Sequence, residues 1–138
     1  MKKTFPDLPA YSSGRRAGGR RTESPEQSRR IAIASSGKTL DSLVDARFGR
    51  CPYFLIVDSE TEEFELLKNT AGKTFRGVGI SAAQMIVDKK VKAVIAGNFG
   101  PNAVNVLNSS RIKIFMGIFG IAAKEALKQY KAGELKES

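Results

Sequence analysis

One short stretch of the chain combines the side chains best suited to holding a metal–sulfur centre. Cys51 is the only cysteine, and its thiolate would be a soft ligand for iron, copper or molybdenum–sulfur species. Arg47 and Arg50 lie on its N-terminal side, and their positive charges would lower the pKa of the thiol and neutralise an anionic cluster. Phe48 and Gly49 complete this candidate cofactor-binding motif. The alternative is that Cys51 is a small buried hydrophobic residue, a common role for a single cysteine.

Two glycine-containing turns before predicted helices form a second group of candidates. Glycines at such turns let backbone N–H groups approach an anion at the positive end of a helix. The first turn lacks the longer glycine patterns of dinucleotide and P-loop sites, so a nucleotide-dependent enzyme is poorly supported. Either turn could also be only a tight loop, with Asn98 capping the next helix. The candidate binding residues of these turns are Arg76, Gly77, Gly79, Asn98, Gly100 and Asn102.

Three other side chains offer chemistry, each with an ordinary alternative. Met116 could be a soft thioether ligand, or it could pack in the core. Asp41 and Asp45 could bind a cation or act in catalysis, or they could simply face solvent. Because the sequence offers no credible pair of nucleophile and base, an enzyme is the least supported class of function.

The amino-acid composition excludes several kinds of site. The chain has no histidine, which removes the commonest metal ligand and the side chain best suited to proton transfer near neutral pH. Serine-hydrolase triads and zinc sites of the usual Cys/His kind are therefore excluded. One cysteine cannot form an intramolecular disulfide, the apolar runs are too short to cross a bilayer, and no apolar leader follows the basic N-terminus. These features favour a cytoplasmic protein without a membrane partner.

The N-terminal segment, residues 1–29, differs in composition from the rest of the chain. It is rich in Gly, Pro, Ser and Arg and lacks apolar periodicity, so we predict that it is disordered. Residues 1–30 carry eight Lys/Arg and three Asp/Glu, in a chain whose net charge is +9. This basic tail could bind nucleic acid or an acidic partner. The alternative is a solvated leader with no specific role.

From residue 31 the pattern predicts one α/β domain. The predicted strands are 31–34, 53–57, 63–67, 91–96 and 112–115, and the predicted helices are 79–89, 102–108 and 121–132. The second and third strands should form an antiparallel hairpin, whereas the later strand–helix–strand units favour parallel neighbours. This gives a mixed five-stranded sheet with an antiparallel second strand and three helices. Four loops then meet at one end of the sheet, where open α/β sheets bind ligands, and we call them the rim: 35–52, 68–79, 97–101 and 117–121.

The order of the motifs resembles the dinitrogenase iron–molybdenum cofactor-binding family, which includes NifX-type cofactor carriers and the C-terminal part of NifB-type proteins. The motifs are Arg47-Phe48-Gly49-Arg50-Cys51-Pro52, Gly77-Val78-Gly79-Ile80-Ser81, Val94-Ile95-Ala96-Gly97 and Gly100-Pro101-Asn102-Ala103. The resemblance implies a family domain at residues 30–135, between the basic tail and a short C-terminal tail at 136–138. It also implies a ribonuclease-H-like fold without nuclease chemistry.

The resemblance further implies a function and a kind of site. Many members have one histidine where this chain has Arg47 and another in the glycine-rich loop, where this chain has residues 74–76. The expected site therefore holds an anionic iron–sulfur or molybdenum-containing cluster through arginines, with Cys51 as the metal ligand. We expect a non-enzymatic carrier or assembly factor that exchanges its cluster with donor and acceptor proteins. The alternative is a regulatory module that binds a phosphate-bearing ligand or a protein partner at the same arginine-rich rim.

Overall fold

A computed structural model describes residues 29–71 and 78–137. Residues 1–28 of the predicted basic tail lie outside these ranges, as do Arg76 and Gly77. Within them the chain forms five strands, β1 (Arg30–Ser35), β2 (Tyr53–Asp58), β3 (Phe64–Lys68), β4 (Ala93–Ile95) and β5 (Lys113–Phe115). The helices of the described chain are α1 (Val78–Asp88), α2 (Pro101–Ser109) and α3 (Ala123–Lys131).

The strands form one mixed sheet in the order β3-β2-β1-β4-β5. Strand β2 is antiparallel to both of its neighbours, whereas β1, β4 and β5 are parallel. Short connections leave β2 and β3 only the hairpin arrangement, while the helix between β4 and β5 returns the chain to the same end of the sheet. The predicted α/β fold, with its antiparallel second strand and three helices, is confirmed.

Both faces of the sheet are covered, and the central strands are apolar on both sides. In β1, Ala32 and Ala34 pack in the cluster that includes α1 and α2, while Ile31 and Ile33 pack in the cluster that includes α3. All four side chains are completely buried. A strand buried on both faces reads as a continuous apolar run, which is why 31–34 could be recognised from sequence.

The rim is built by one segment that crosses the carboxyl ends of the parallel strands. Val44 donates its N–H to the Ile121 carbonyl at 2.7 Å, and Asp45 donates to the Ala34 carbonyl at 2.9 Å. Phe48 then donates to the Asn98 carbonyl at 3.1 Å. The loops after β1, β4 and β5 are thus tied to one another by backbone hydrogen bonds.

The backbone pairing across the rim explains why one helix begins later than predicted. Helix α3 begins at Ala123 rather than 121, because Ala122 pairs with Leu43 in an isolated antiparallel bridge. Strand β4 is shorter than the predicted 91–96, and the buried Val91 lies in the turn that precedes it. No helix in the described ranges is long and apolar enough to cross a bilayer.

Candidate functional site

An exposed arginine on a buried carboxylate is the best-defined charged feature of the rim. Asp45 Oδ1 accepts hydrogen bonds from the backbone N–H of Arg47 at 2.8 Å and from its Nε at 3.2 Å. The Arg47 Nη2 donates to Asp45 Oδ2 at 3.4 Å. Asp45 is 8% exposed, whereas the Arg47 side chain is 62% exposed. The carboxylate anchors the guanidinium and raises its pKa further through the hydrogen bond and the charge attraction.

The two aspartates singled out from sequence do not come together as a cation site. Asp45 is turned inward and paired with Arg47, while the exposed Asp41 forms an ion pair with Lys124 at 2.7 Å. An aspartate accepting from the N–H two residues ahead is a local turn motif. Asp45 therefore positions Arg47 instead of facing solvent or a cation.

Phe48 lies below the rim surface and stabilises the loop from inside. It is 1% exposed, and its ring stacks on Phe99 at a centroid distance of 4.9 Å and an interplanar angle of 26°. A second, tilted contact joins it to Phe54 at 5.3 Å. The structure thus gives Phe48 a packing role that ties the 45–51 loop to the 97–101 loop.

Cys51 is also buried, and its surroundings oppose ionisation. The side chain is 1% exposed, and Sγ lies 3.4 Å from the Phe48 carbonyl. Burial, followed by the negative charge of Asp45, raises the pKa of the thiol to about 12. Metals bind the thiolate rather than the thiol. For Cys51 to coordinate a metal, its side chain would have to become exposed at the rim and the pKa of its thiol would have to fall far below 12. In this conformation Cys51 serves as the small buried hydrophobic residue of the alternative interpretation.

Asn69 is a positioning residue that the sequence interpretation missed. It follows β3, is 6% exposed, and donates from Nδ2 to the carbonyls of Gly49 at 3.0 Å and Cys51 at 2.7 Å. Its Oδ1 accepts from the N–H of Ala71 at 3.0 Å. Asn69 therefore fastens the loop that carries Arg50 to the end of the edge strand. One asparagine after a strand gives no sequence signal for so distant a partner.

The first turns of α1 and α2 approach each other beside Gly49. A Cβ built on Gly49 would lie 3.0 Å from a Val78 methyl carbon, and one built on Gly79 would lie 3.5 Å from the Ala103 Cβ. The N-cap of α2 is Gly100, which provides no side-chain hydrogen bond to the helix. The exposed Asn98 is therefore not its cap, and the exposed Asn102 lies in the first turn. The predicted residues Gly49, Arg50, Gly79, Gly100 and Asn102 are thus brought to one region.

Close backbone packing and exposed apolar side chains complete the rim. A Cβ on Gly97 would lie 2.6 Å from Ala46 Cα, so only glycine permits the 45–48 segment to pass beside this loop. Gly117 and Gly120 have φ values of 84° and 78°, which glycine adopts without strain. They bracket a turn whose Phe119 is 56% exposed, and Met116 before it is 36% exposed rather than part of the core.

The donor set decides what kind of ligand this surface fits. No group of three or more Cys, Asp or Glu side chains in the described chain could hold a bare metal ion. The rim instead offers an exposed guanidinium, exposed Arg50, and backbone N–H groups of a helix start. Such donors fit an anion that brings its own sulfide ligands.

Fold and site together define a small α/β protein with exposed arginines on the rim at the carboxyl ends of its strands. The sequence model of the dinitrogenase iron–molybdenum cofactor family matches residues 29–133, and the chain belongs to that family. The expectation drawn from the motifs is thereby confirmed.

Individual relatives support the same assignment. An uncharacterized protein of Methanocaldococcus jannaschii is 33% identical over 93 residues, which is 65% of this chain and 78% of that protein. The apo form of the orange protein from Desulfovibrio gigas matches with a TM-score of 0.78 and 31% identity, covering 80% of this chain and 93% of that one. A putative NifB protein from Thermotoga matches with a TM-score of 0.68 and 36% identity, covering 79% and 92%.

Proposed function

We propose that the protein carries an anionic metal–sulfur cluster, of the iron–sulfur or molybdenum-containing kind, on its rim without a bond from the protein to the metal. The observation that carries the proposal is the exposed Arg47 guanidinium on its buried Asp45, in a chain whose family is described as the iron–molybdenum cofactor family. Membership of that family supports a cofactor-binding role over catalysis.

The charges and donors assign a role to each part of the rim. The positive charge would come from three arginines, Arg47, Arg50 and Arg76. Backbone or amide N–H donors would come from Gly49, Gly77, Gly79, Gly100, Asn98 and Asn102. Charge-assisted hydrogen bonds to sulfide would hold the cluster without consuming its metal coordination sites. A cluster held this way can pass intact to another protein, which suits exchange with donor and acceptor partners in the cytoplasm.

The test is anaerobic reconstitution with iron and sulfide, or with thiomolybdate, followed by desalting, absorption spectroscopy and metal analysis. The most informative variant is the double substitution Asp45→Asn with Arg47→Gln, because it removes the exposed cation while the net charge is unchanged and the amide oxygen of the new side chain at position 45 can still accept from the backbone N–H of residue 47. Arg50→Gln tests the second arginine. We expect each change to weaken the binding constant for the cluster by about fivefold or more, which corresponds to about 1 kcal/mol of binding free energy for a partly exposed charge.

Matched controls separate this proposal from its competitors. Lys128→Gln removes an exposed charge on α3, outside the rim, and should leave retention unchanged. Cys51→Ala should retain as much metal as the native chain, whereas the sequence-based prediction of a Cys51 ligand requires a loss. No retention by the native chain, or equal retention by the two rim variants, would contradict the proposal. Full displacement of thiomolybdate by equimolar phosphate would favour the phosphate-bearing alternative.

A further inference from the structure

A basic pocket lies at the end of the sheet opposite the rim, where the parallel strands begin. It is open, has a volume of about 620 Å³, and is lined by Lys92, Lys113 and Lys131. Lys113 is the first residue of β5 and Lys92 immediately precedes β4. The N–H of Lys113 donates to the Lys92 carbonyl at 3.0 Å, so the sheet itself holds these two lysines side by side.

The positive charge of this pocket is largely uncompensated. Lys131 pairs with Glu62 at 3.0 Å, but neither Lys92 nor Lys113 forms an ion pair with any residue of the described ranges. The pocket lining also includes one carboxylate, that of Glu60. Two unpaired ammonium groups beside one carboxylate leave the pocket attractive to an anion.

Two neighbouring turns extend the basic surface at some conformational cost. Lys90 and Arg111 follow α1 and α2, precede β4 and β5, and have φ values of 56° and 62°. Glycine is the usual residue for this left-handed conformation after a helix, and other residues adopt it with strain. The chain has a long cation at both equivalent positions, and both are exposed. A cation just after a helix is also favoured by the helix dipole, and both side chains add positive charge at this end of the sheet.

An aromatic pair forms another wall of the pocket. Tyr130 is half-buried and meets Phe115 edge to face, with ring centroids 5.6 Å apart. Both rings line the pocket together with the lysines. Aromatic rings beside backbone-binding cations are the combination that holds single-stranded nucleic acids, because bases stack on the rings while phosphates meet the lysines.

The basic tail joins the domain at this same pocket. Ser59, which lines the pocket, donates its N–H to the Arg29 carbonyl at 2.7 Å. Lys92 donates to the Arg30 carbonyl at 2.8 Å. The described chain therefore begins beside the lysines, and the sequence before it carries six Lys/Arg and three Asp/Glu in residues 1–28.

We propose that this end of the protein binds single-stranded nucleic acid. A base would stack against Tyr130 and phosphates would contact Lys92 and Lys113, while Lys90 and Arg111 would follow the strand. The site is separate from the rim, so the proposal stands or falls independently of cluster carriage.

The test measures fluorescence anisotropy of a labelled oligothymidylate of about 12 nucleotides with the full chain, over a range of salt concentrations. For the double variant Lys92→Ala/Lys113→Ala we expect weaker binding. The slope of log K against log salt should fall by about 1.4, at about 0.7 per phosphate contact. Tyr130→Leu should weaken binding by about 5- to 150-fold, whereas Tyr130→Phe keeps the ring and should bind as the native chain does. Glu60→Gln should strengthen binding because it removes a repulsive charge.

The control is Lys38→Ala/Lys68→Ala, which removes the same charge from exposed positions at the rim end of the sheet. It should leave the salt slope unchanged. Circular dichroism verifies that each variant is folded. Equal weakening by the control pair, or native binding by Lys92→Ala/Lys113→Ala, would overturn the proposal. Displacement of the oligonucleotide by a nucleoside diphosphate at equal phosphate concentration would also overturn it, in favour of a small nucleotide.

Discussion

Replacing Asn69 by aspartate tests how the rim loop is held in place. Asn69 Nδ2 donates to two carbonyl oxygens, of Gly49 at 3.0 Å and Cys51 at 2.7 Å, at a position only 6% exposed. The orientation of the amide is settled because both of these partners can only accept. An ionised carboxylate at 69 would lose both hydrogen bonds, at about 1 kcal/mol each, and would place a buried charge against two oxygens. We expect Asn69→Asp to lower the free energy of unfolding by about 3 kcal/mol at pH 7.

The pH dependence of that loss separates charge repulsion from simple loss of packing. Burial and the facing carbonyls would raise the pKa of the new carboxyl in the folded state above its value of about 3.9 in the unfolded state. The protonated form is therefore favoured by folding, so stability is retained below the unfolded pKa and lost as pH rises through the folded pKa. Below that range the carboxyl can again donate one hydrogen bond.

Urea denaturation at pH 7 and pH 4 measures the effect, with Asn69→Ala as the matched variant. The alanine variant loses the three hydrogen bonds with backbone groups, including the one from Ala71, but gains no charge. Its deficit relative to the native chain should be nearly the same at both pH values, whereas the deficit of Asn69→Asp should shrink at pH 4. A deficit below about 0.5 kcal/mol at pH 7 would refute the assigned role of the Asn69 amide. So would the same pH response in both variants.

Three further predictions follow from the packing and the buried thiol. Burial raises the pKa of Cys51 to about 12 in the folded state, so above pH 9 unfolding releases the proton of the thiol. The free energy of unfolding should therefore fall by about 1.4 kcal/mol per pH unit above pH 9, and Cys51→Ala should abolish this fall. Denaturation curves of the two chains over this pH range measure the effect, and the same pH dependence in both would contradict the buried thiol. Lys90→Gly and Arg111→Gly should each stabilise the fold by about 0.5–1 kcal/mol while weakening oligothymidylate binding, since they relieve left-handed strain; a loss of stability on denaturation would contradict the assigned strain. Gly97→Ala should cost about 1–3 kcal/mol and reduce cluster retention, because its Cβ would meet the Ala46 backbone; native stability in a thermal melt would show that the segment can move aside.

Much of the fold could be predicted because its determinants are local. The continuous apolar run at 31–34 and the short hairpin connection between β2 and β3 determine the character of the central strands and their direction. Pairing between Leu43 and Ala122, which shortens α3 at its start, joins residues far apart in sequence. No periodicity in the sequence carries that information, which is why the predicted start of α3 at 121 precedes the observed start at Ala123.

The sequence predicts which loops carry the candidate residues, but it does not predict which of these side chains are buried. Arg47 and Arg50 could be placed on the rim because loop position follows from strand order. Whether Cys51 faced the rim or the core depended on Phe48, Phe54 and Asn69, whose contacts with the loop are tertiary. The role of Asp45 was accessible in principle, since an aspartate two residues before the N–H that it binds is a recognisable turn.

Sequence patterns do not predict the basic pocket at the end of the sheet opposite the rim, because its residues are scattered along the chain. Lys92, Lys113 and Tyr130 belong to three separate elements, and only the parallel pairing of β4 and β5 brings the lysines together. The tail was recognised as a candidate for nucleic-acid binding from its composition. Its point of entry beside the pocket became visible only through the hydrogen bonds of Arg29 and Arg30.

The measurement that tests the central claim most directly is metal and acid-labile sulfide analysis of the chain purified anaerobically from cells supplied with iron and molybdate. We expect the native chain and Cys51→Ala to retain the same amount of metal and sulfide per chain. The Asp45→Asn/Arg47→Gln variant, which has the same net charge and should be equally folded, should retain several-fold less. Native protein without metal or sulfide, or a loss caused by Cys51→Ala and not by the arginine variant, would contradict a cluster held on the rim by positive charge.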